Sequence, residues 1–352
     1  VTGLGHLFRG TLMHRLKRPD SPYQVVALHA KNGSHEDLAA EFPEAKRAVD
    51  FEAMCADPDI EAIWILSPAD THFAYASAAL QAGKSVYVQK PAAGSGDEVE
   101  RLAELERPGV CCIAAPVQMA YPAWQRVREE LGLDSLGPLY TVLTSFMGWG
   151  GSEIGWPSHP GWRFAAGNGP LPDHGIYTIT FLVGLLGPAV SVMAMGGVRQ
   201  AYRTWNGQRF PVDEIDNLAA IIEFADGVYA TLSEAWAATD GTYDATFHGL
   251  EGTVVARAAL FDASPNTIVV TDTWGTELRR WDIDSSPELA GFFRNGFSAN
   301  EHVWADVLHL AECMRGTAEP LGSLRQVLPV YRVMDAIQES VRTGRRAGVP
   351  QN

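Results

Sequence analysis

A lysine followed by proline, Lys90-Pro91, closes the stretch Asp59 to Pro91, and an aspartate and a tyrosine, Asp173 and Tyr177, stand four residues apart farther along. An ammonium group can hydrogen-bond a substrate oxygen, and it lowers the pKa of a neighbouring phenol toward working pH. That is what general acid/base catalysis by tyrosine needs. Residues four apart on a helix share a face, and Pro170 and Pro172 fix where the helix carrying Asp173 and Tyr177 begins. Pro91 drives Lys90 out of the helical region, so the lysine is held extended.

The elements that must position Lys90 are legible. Ile60 to Leu66 is nearly unbroken apolar sequence, as in a strand buried on both faces, and Ser67-Pro68 stops it. Thr71 can cap a helix with Phe73, Ala76 and Leu80 on one face, and Gly83 ends it. Ser85 to Gln89 is the next strand, which sets Lys90 at its carboxyl end, where open parallel sheets bind ligands. The same grammar runs through the amino-terminal third. It predicts strands at Val1 to Gly5, Gln24 to His29, weakly at Ala48 to Phe51, and at Val110 to Ala115, with helices through Leu16 and from Glu36 to Phe42.

Gly3-Leu4-Gly5-His6-Leu7-Phe8 then reads as a phosphate-cradling turn between strand and helix, with Phe8 in place of a third glycine. After the second strand, an NAD site would carry an acidic residue for the ribose diol. Here His29-Ala30-Lys31-Asn32-Gly33-Ser34 follows, and Lys31 with Asn32 and Ser34 suits a 2′-phosphate better. NADP is therefore expected in preference to NAD. Ser67, Pro68, His72 and Gln89 are expected to line the cofactor beside Lys90, although His72 also suits a helix start satisfied by backbone.

Beyond about Pro116 the pattern changes. A helix (Pro122 to Leu131) and a strand (Leu139 to Phe146) lead into a Gly/Trp/Pro-rich loop, 148–172, and a helix from Asp173 to Leu186. Strands then follow without intervening helices, at Val190 to Met195, Asn217 to Phe224, Val228 to Trp236, Tyr243 to His248, Thr253 to Ala256 and Thr267 to Thr271, with Asp226-Gly227 as a hairpin signal. Helices at Glu301 to Met314 and Gln326 to Arg342 close the chain. The fold class is α/β plus α+β: a doubly wound parallel sheet over 1–118, then a large open antiparallel sheet over 119–352. In the loop, Trp149, Trp156, Trp162 and Arg163 offer flat faces and a cation suited to a sugar or polyol.

Composition narrows the partners. The 352 residues carry a formal charge of −15, against nonspecific nucleic-acid or anionic-membrane binding. No run approaches the length of a membrane span. The four cysteines make no paired framework, and a reduced cytoplasmic setting fits. His302 and His309 stand seven apart with no dense ligand cluster, so no metal is expected.

Taken together, these residues resemble the glucose-fructose oxidoreductase / inositol dehydrogenase family (Gfo/Idh/MocA) over nearly the whole length. The match rests on Ser67-Pro68…His72 through Ala82-Gly83-Lys84-Ser85-Val86 to Gln89-Lys90-Pro91, on Trp162-Arg163, and on Gly169 leading into Asp173-His174-Gly175-Ile176-Tyr177. Gly249-Leu250-Glu251-Gly252-Thr253 and the terminal Glu339-Ser340…Thr343-Gly344 add to it. The resemblance implies a Rossmann domain, a sheet that joins subunits into a homodimer or homotetramer, and hydride transfer at a secondary alcohol of a sugar or cyclitol. It places the catalytic lysine at Lys90, the active-site aspartate at Asp173, and tyrosine Tyr177 where histidine is common; His174 falls within the substrate-binding run. Gln89 stands where glutamate is usual. Relatives that use transient oxidation for glycosidase or lyase chemistry, and non-catalytic sensors on the same fold, remain alternatives.

Overall fold

In the computed structural model, residues 1–30, 36–48, 50–132, 136–149, 159–238, 242–258, 267–282 and 301–351 are described. The chain divides into two units, Val1–Val117 with Gly296–Leu328, and Gln118–Asn295 with Pro329–Asn352.

Parallel strands make the centre of the first unit. β1 (Ala27–Leu28) pairs with β2 (Lys46–Arg47), while β3 (Ala62–Ile65), β4 (Ser85–Val88) and β5 (Cys112–Ala114) form a sheet in that order. Thr2 joins the two groups through parallel bridges to Ile65 and His29, which is all that remains of the strand expected at Val1 to Gly5. Every residue of β4 is buried, as the unbroken apolar run requires of a strand covered on both faces. A π-helical turn, Phe8–Leu12, runs into α1 (Met13–Leu16).

Two expectations fail here for local reasons. The strand expected at Ala48 to Phe51 is absent because Asp50 caps a helix, α2 (Phe51–Ala56), its carboxylate accepting from the Ala53 amide at 2.7 Å. The helix expected at Glu36 to Phe42 is a single 3₁₀ turn, Glu36–Ala39. α3 (His72–Gln81) is as expected. α4 (Gly96–Ala103) is an addition: Ser95 accepts from the Glu98 amide at 3.3 Å, and Glu98 accepts in return from the Gly94 amide at 2.8 Å.

The second unit is built on one sheet. α5 (Pro122–Leu131) and β6 (Leu139–Trp149) come first; a π-helical turn, Leu171–Gly175, runs into α6 (Ile176–Leu186). Then follow β7 (Ala189–Gly197), a hairpin of β8 (Tyr202–Trp205) and β9 (Gln208–Pro211), β10 (Asn217–Phe224), β11 (Tyr229–Ala238), β12 (Thr242–Gly249), β13 (Gly252–Ala258), β14 (Thr267–Asp272) and β15 (Glu277–Asp282). α7 (Glu301–Met314) belongs to the first unit; α8 (Leu324–Thr343) and β16 (Ala347–Gly348) end the chain. Among the described residues the large sheet has nine strands, ordered β15-β14-β13-β12-β6-β11-β10-β7-β16. Neighbours are antiparallel except β6 and β11, which run parallel, so the expected antiparallel sheet holds one parallel pair.

One face of this sheet is core. Along β10, Leu218, Ala220, Ile222 and Phe224 are buried in alternation with outward residues. The other face exposes Met193, Ile221 and Leu143, which lie in one row across β7, β10 and β6 with Thr231 of β11 between the last two. Among the described residues, no helix is long and apolar enough to cross a membrane.

Candidate active site

The glycine turn comes first. Gly3 has φ +86°, and a Cβ there would stand 2.2 Å from the Ser67 amide nitrogen and 2.5 Å from the Leu66 carbonyl oxygen. The turn is therefore pressed onto the end of β3, which only glycine permits. Gly5 is the opposite case: it is exposed, and a Cβ on it would meet nothing within 4 Å. This open backbone at the start of a helix fits a dinucleotide pyrophosphate. His6 is exposed and Leu7 half-buried, so both remain at the turn's surface. Phe8 is different. Its side chain is fully buried and packs toward Phe42, ring centroids 6.1 Å apart, so it belongs to the core and only its backbone remains for the turn. Arg9, which the sequence reading passed over, donates from Nε to the Leu4 carbonyl at 2.9 Å and pairs with Asp37. Lys31, Asn32 and Ser34 lie outside the described residues.

The Ser67-Pro68 turn is tied to the Lys90 strand by His72. The ring is buried, with Nδ1 2.7 Å from the Pro91 carbonyl oxygen and Nε2 2.7 Å from that of Ser67. Burial holds its pKa down. A neutral imidazole has one N–H, so one of these two contacts is a hydrogen bond, and the ring is held between the two carbonyls, in keeping with the helix-start reading. Ser67 Oγ and Thr71 Oγ1 stand 2.6 Å apart, and Thr71 donates to the Pro68 carbonyl. At the end of β4, the Lys90 amide donates to Gln89 Oε1 at 2.7 Å, and Gln89 Nε2 donates to the Tyr87 hydroxyl at 3.4 Å. His302 of α7 is brought near the lysine: burial, and then the Lys90 charge, push its pKa down to about 3. It is a neutral imidazole.

In the second unit the expected substrate residues gather around the turn Leu171–Gly175. Arg163 and Asp173 form an ion pair with both side chains largely buried. The Arg163 guanidinium lies 5.5 Å from the centroid of Trp162 and 5.6 Å from that of Trp236. Trp162 is 60% exposed, a flat face presented outward. His174 stacks on Phe146 at 4.1 Å, and its Nδ1 accepts from Trp236 Nε1 at 3.2 Å. An indole N–H only donates, so Nδ1 of His174 is the acceptor in this contact. Tyr177 stands half-buried on the first turn of α6, one turn beyond Asp173. Trp156, and the side chain of Trp149, lie outside the described residues.

A buried carboxyl sits beneath this group. Glu234 of β11 is fully buried; its Oε1 accepts from Thr178 at 3.4 Å, and Oε2 has no hydrogen-bond partner. Burial raises its pKa well above the ordinary value, and the nearby Asp173 charge adds to that. Burial thus favours the neutral form of Glu234 beside Asp173. The signal was available: Leu232, Glu234 and Trp236 alternate on the buried face of one strand, where a glutamate is out of place.

Comparison with known proteins agrees with this picture. The model of the oxidoreductase family with NAD-binding Rossmann fold matches residues 1–114, and that of the GFO/IDH/MocA C-terminal domain matches 124–255. The chain belongs to this family of oxidoreductases. A trans-1,2-dihydrobenzene-1,2-diol dehydrogenase of Sus scrofa is 28% identical over 217 residues, 61% of each chain. A levoglucosan dehydrogenase of Pseudarthrobacter phenanthrenivorans is 26% identical over 263 residues, 67% of this chain and 65% of that protein. The matches thus span somewhat under two thirds of these relatives' lengths. Among solved structures, a levoglucosan dehydrogenase in complex with NADH and L-sorbose superposes with a TM-score of 0.78 at 22% identity, covering 100% of this chain and 98% of that one. That likeness establishes the fold.

Proposed function

We propose that this oxidoreductase is an NAD(P)-dependent dehydrogenase or ketoreductase acting on a secondary alcohol or ketone of a sugar, sugar derivative or cyclitol. The observation that carries the reading is Lys90, set at the carboxyl end of β4 and tied through Pro91 and His72 to the Ser67 turn on which Gly3 rests. Gly3, Gly5 and the turn's backbone would hold the dinucleotide, with Ser67, Pro68 and Gln89 beside it. When bound, the nicotinamide accepts or supplies the reaction's electron pair. Lys90 would hydrogen-bond the reacting oxygen, Tyr177 would take or return its proton, and Asp173, oriented by Arg163, would hold a neighbouring hydroxyl. Trp162 offers a face for the sugar ring. The two relatives named above are dehydrogenases of a dihydrodiol and of a sugar derivative, in keeping with a vicinal or ring hydroxyl as the group oxidised.

Lys31 supports NADP as the preferred cofactor, and the absence of cysteine pairing supports a cytoplasmic enzyme. The exposed apolar row Met193–Ile221–Leu143 supports a homo-oligomer joined through the open sheet face. The test is a titration with NADH and NADPH followed by a polyol and ketosugar panel read by nicotinamide absorbance. Turnover with net oxidation or reduction is expected, with tighter binding of NADPH. Aglycone release without net absorbance change points instead to glycosidase or lyase chemistry. Cofactor binding with no reaction across the panel points to a sensor.

A further inference from the structure

α7 buries His302, Asp306 and His309 together with Val303, Val307 and Leu310, and Asp306 stands one turn beyond His302. Asp306 has no exposed surface. A carboxylate taken wholly out of water is costly unless donors satisfy it. Among its donors, the Val117 amide reaches Oδ1 at 3.3 Å and the Tyr87 hydroxyl reaches Oδ2 at 3.4 Å.

The second of these leads to the lysine. A phenol has one proton. With that proton committed to Asp306, the Tyr87 oxygen is left as an acceptor, and Gln89 Nε2 donates to it at 3.4 Å. That fixes which way the Gln89 amide faces, because its nitrogen must point at Tyr87. Its oxygen is then turned to the Lys90 amide, which donates to it at 2.7 Å. With Asp306 accepting, the contacts Asp306–Tyr87–Gln89–Lys90 run in one direction toward the lysine amide.

We propose that Asp306 is a positioning residue for Lys90, acting from α7 through Tyr87 and Gln89. The proposal rests on the reading of Lys90 as a catalytic residue. Asn at 306 has one oxygen for two donors, so either Val117 or Tyr87 loses its acceptor, and the direction of the relay is no longer imposed. Small displacements of a reacting group cost about 10²-fold.

Asp306→Asn and Tyr87→Phe are each expected to lower kcat at least about tenfold. KM for substrate and the dissociation constant for NADPH or NADH by fluorescence should change little, while the melting temperature falls somewhat because a buried polar group loses its partner. Gln89→Glu separates positioning from packing. Beside the native Asp306 it sets two carboxylates on one phenol proton and should lower kcat. In the Asp306→Asn background it restores a carboxylate acceptor for Tyr87 and should recover most of the loss. The proposal is overturned if Asp306→Asn and Tyr87→Phe keep wild-type kcat while Lys90→Ala is inactive, an outcome that leaves the dehydrogenase reading standing. It is also overturned if Asp306→Asn loses activity only in step with melting temperature and Gln89→Glu gives no rescue. Full activity of Lys90→Ala would remove the reading beneath it.

Discussion

At the scale of single residues, Lys90 and Tyr177 are expected to act on the chemical step. Lys90→Ala and Tyr177→Phe should each lower kcat by about 10²- to 10⁴-fold, the usual worth of acid/base assistance, with cofactor affinity within about twofold of wild type. Steady-state kinetics beside a fluorescence titration measure both, and full turnover in either variant removes that residue from the mechanism. Glu234 gives a prediction of stability against pH. Burial holds its carboxyl toward the neutral form in the fold, so above the usual glutamate pKa the unfolded state is expected to release a proton that the folded state keeps. Stability is thus full below that pKa and is lost as pH rises, by about 1.4 kcal/mol per pH unit until the folded group ionises. Glu234→Gln cannot ionise and should flatten this limb. Its amide, placed where Oε2 has no partner, lowers the whole curve somewhat. The slope of unfolding free energy from pH 5 to 8 is the test, and an unchanged slope would mean that Glu234 is charged in the fold. Lys90, Asp173 and Tyr177 were legible in the sequence because motif and spacing single them out. Glu234 carried a weaker sign, a glutamate on the apolar face of β11, and Asp306 carried none, since its placement depends on pairings between distant segments.

Among the elements, the glycine turn separates fold from binding. Alanine at Gly3 drives its Cβ into Ser67 and Leu66 backbone at a positive φ, so Gly3→Ala should cost about 1–3 kcal/mol of stability and abolish tight cofactor binding. Gly5→Ala meets no protein atom. It should leave stability within about 0.5 kcal/mol and lower cofactor affinity alone, by tenfold or more. Equal affinities for wild type and Gly5→Ala would show that the pyrophosphate does not approach this backbone. Element boundaries show where local sequence sufficed. The nearly unbroken apolar run at Ile60 to Leu66 marked β3 directly. Caps were the weaker signal and the decisive one: Asp50 converts an expected strand end into α2, and Ser95 with Glu98 forms the reciprocal cap of an unforeseen α4. The hairpin β8–β9 also had its sign in Asn206-Gly207, whose positive φ values, 48° and 74°, suit a tight two-residue turn. The parallel pairing of β6 with β11 had none, because strand order depends on packing across the unit.

For the whole molecule, the open face of the large sheet is the candidate contact between subunits. Ile221 is 50% exposed and Met193 44%, and they are cross-strand partners; Leu143, 47% exposed, continues the row two strands away. Outward positions of a solvated sheet are usually polar, and an exposed apolar row, here interrupted by Thr231 alone, is the kind of surface a partner subunit would cover. Polar neighbours bound it: Ser191, Glu223 and Tyr229 lie in the next row, where Arg346 pairs with Glu223. An apolar centre with a charged rim is the usual anatomy of an interface between subunits. Ile221→Asp places a carboxylate in that centre without touching the core face, because neighbouring residues Ala220 and Ile222 point the other way. Desolvating the charge on both sides of a two-fold contact costs several kcal/mol, enough to shift a micromolar dimer to monomer. The expected outcome in analytical ultracentrifugation is a wild-type oligomer and a monomeric Ile221→Asp variant with an unchanged far-ultraviolet spectrum. A wild-type chain that sediments as a monomer at all concentrations, or a variant that keeps the wild-type mass, would place the subunit contact elsewhere than on this face.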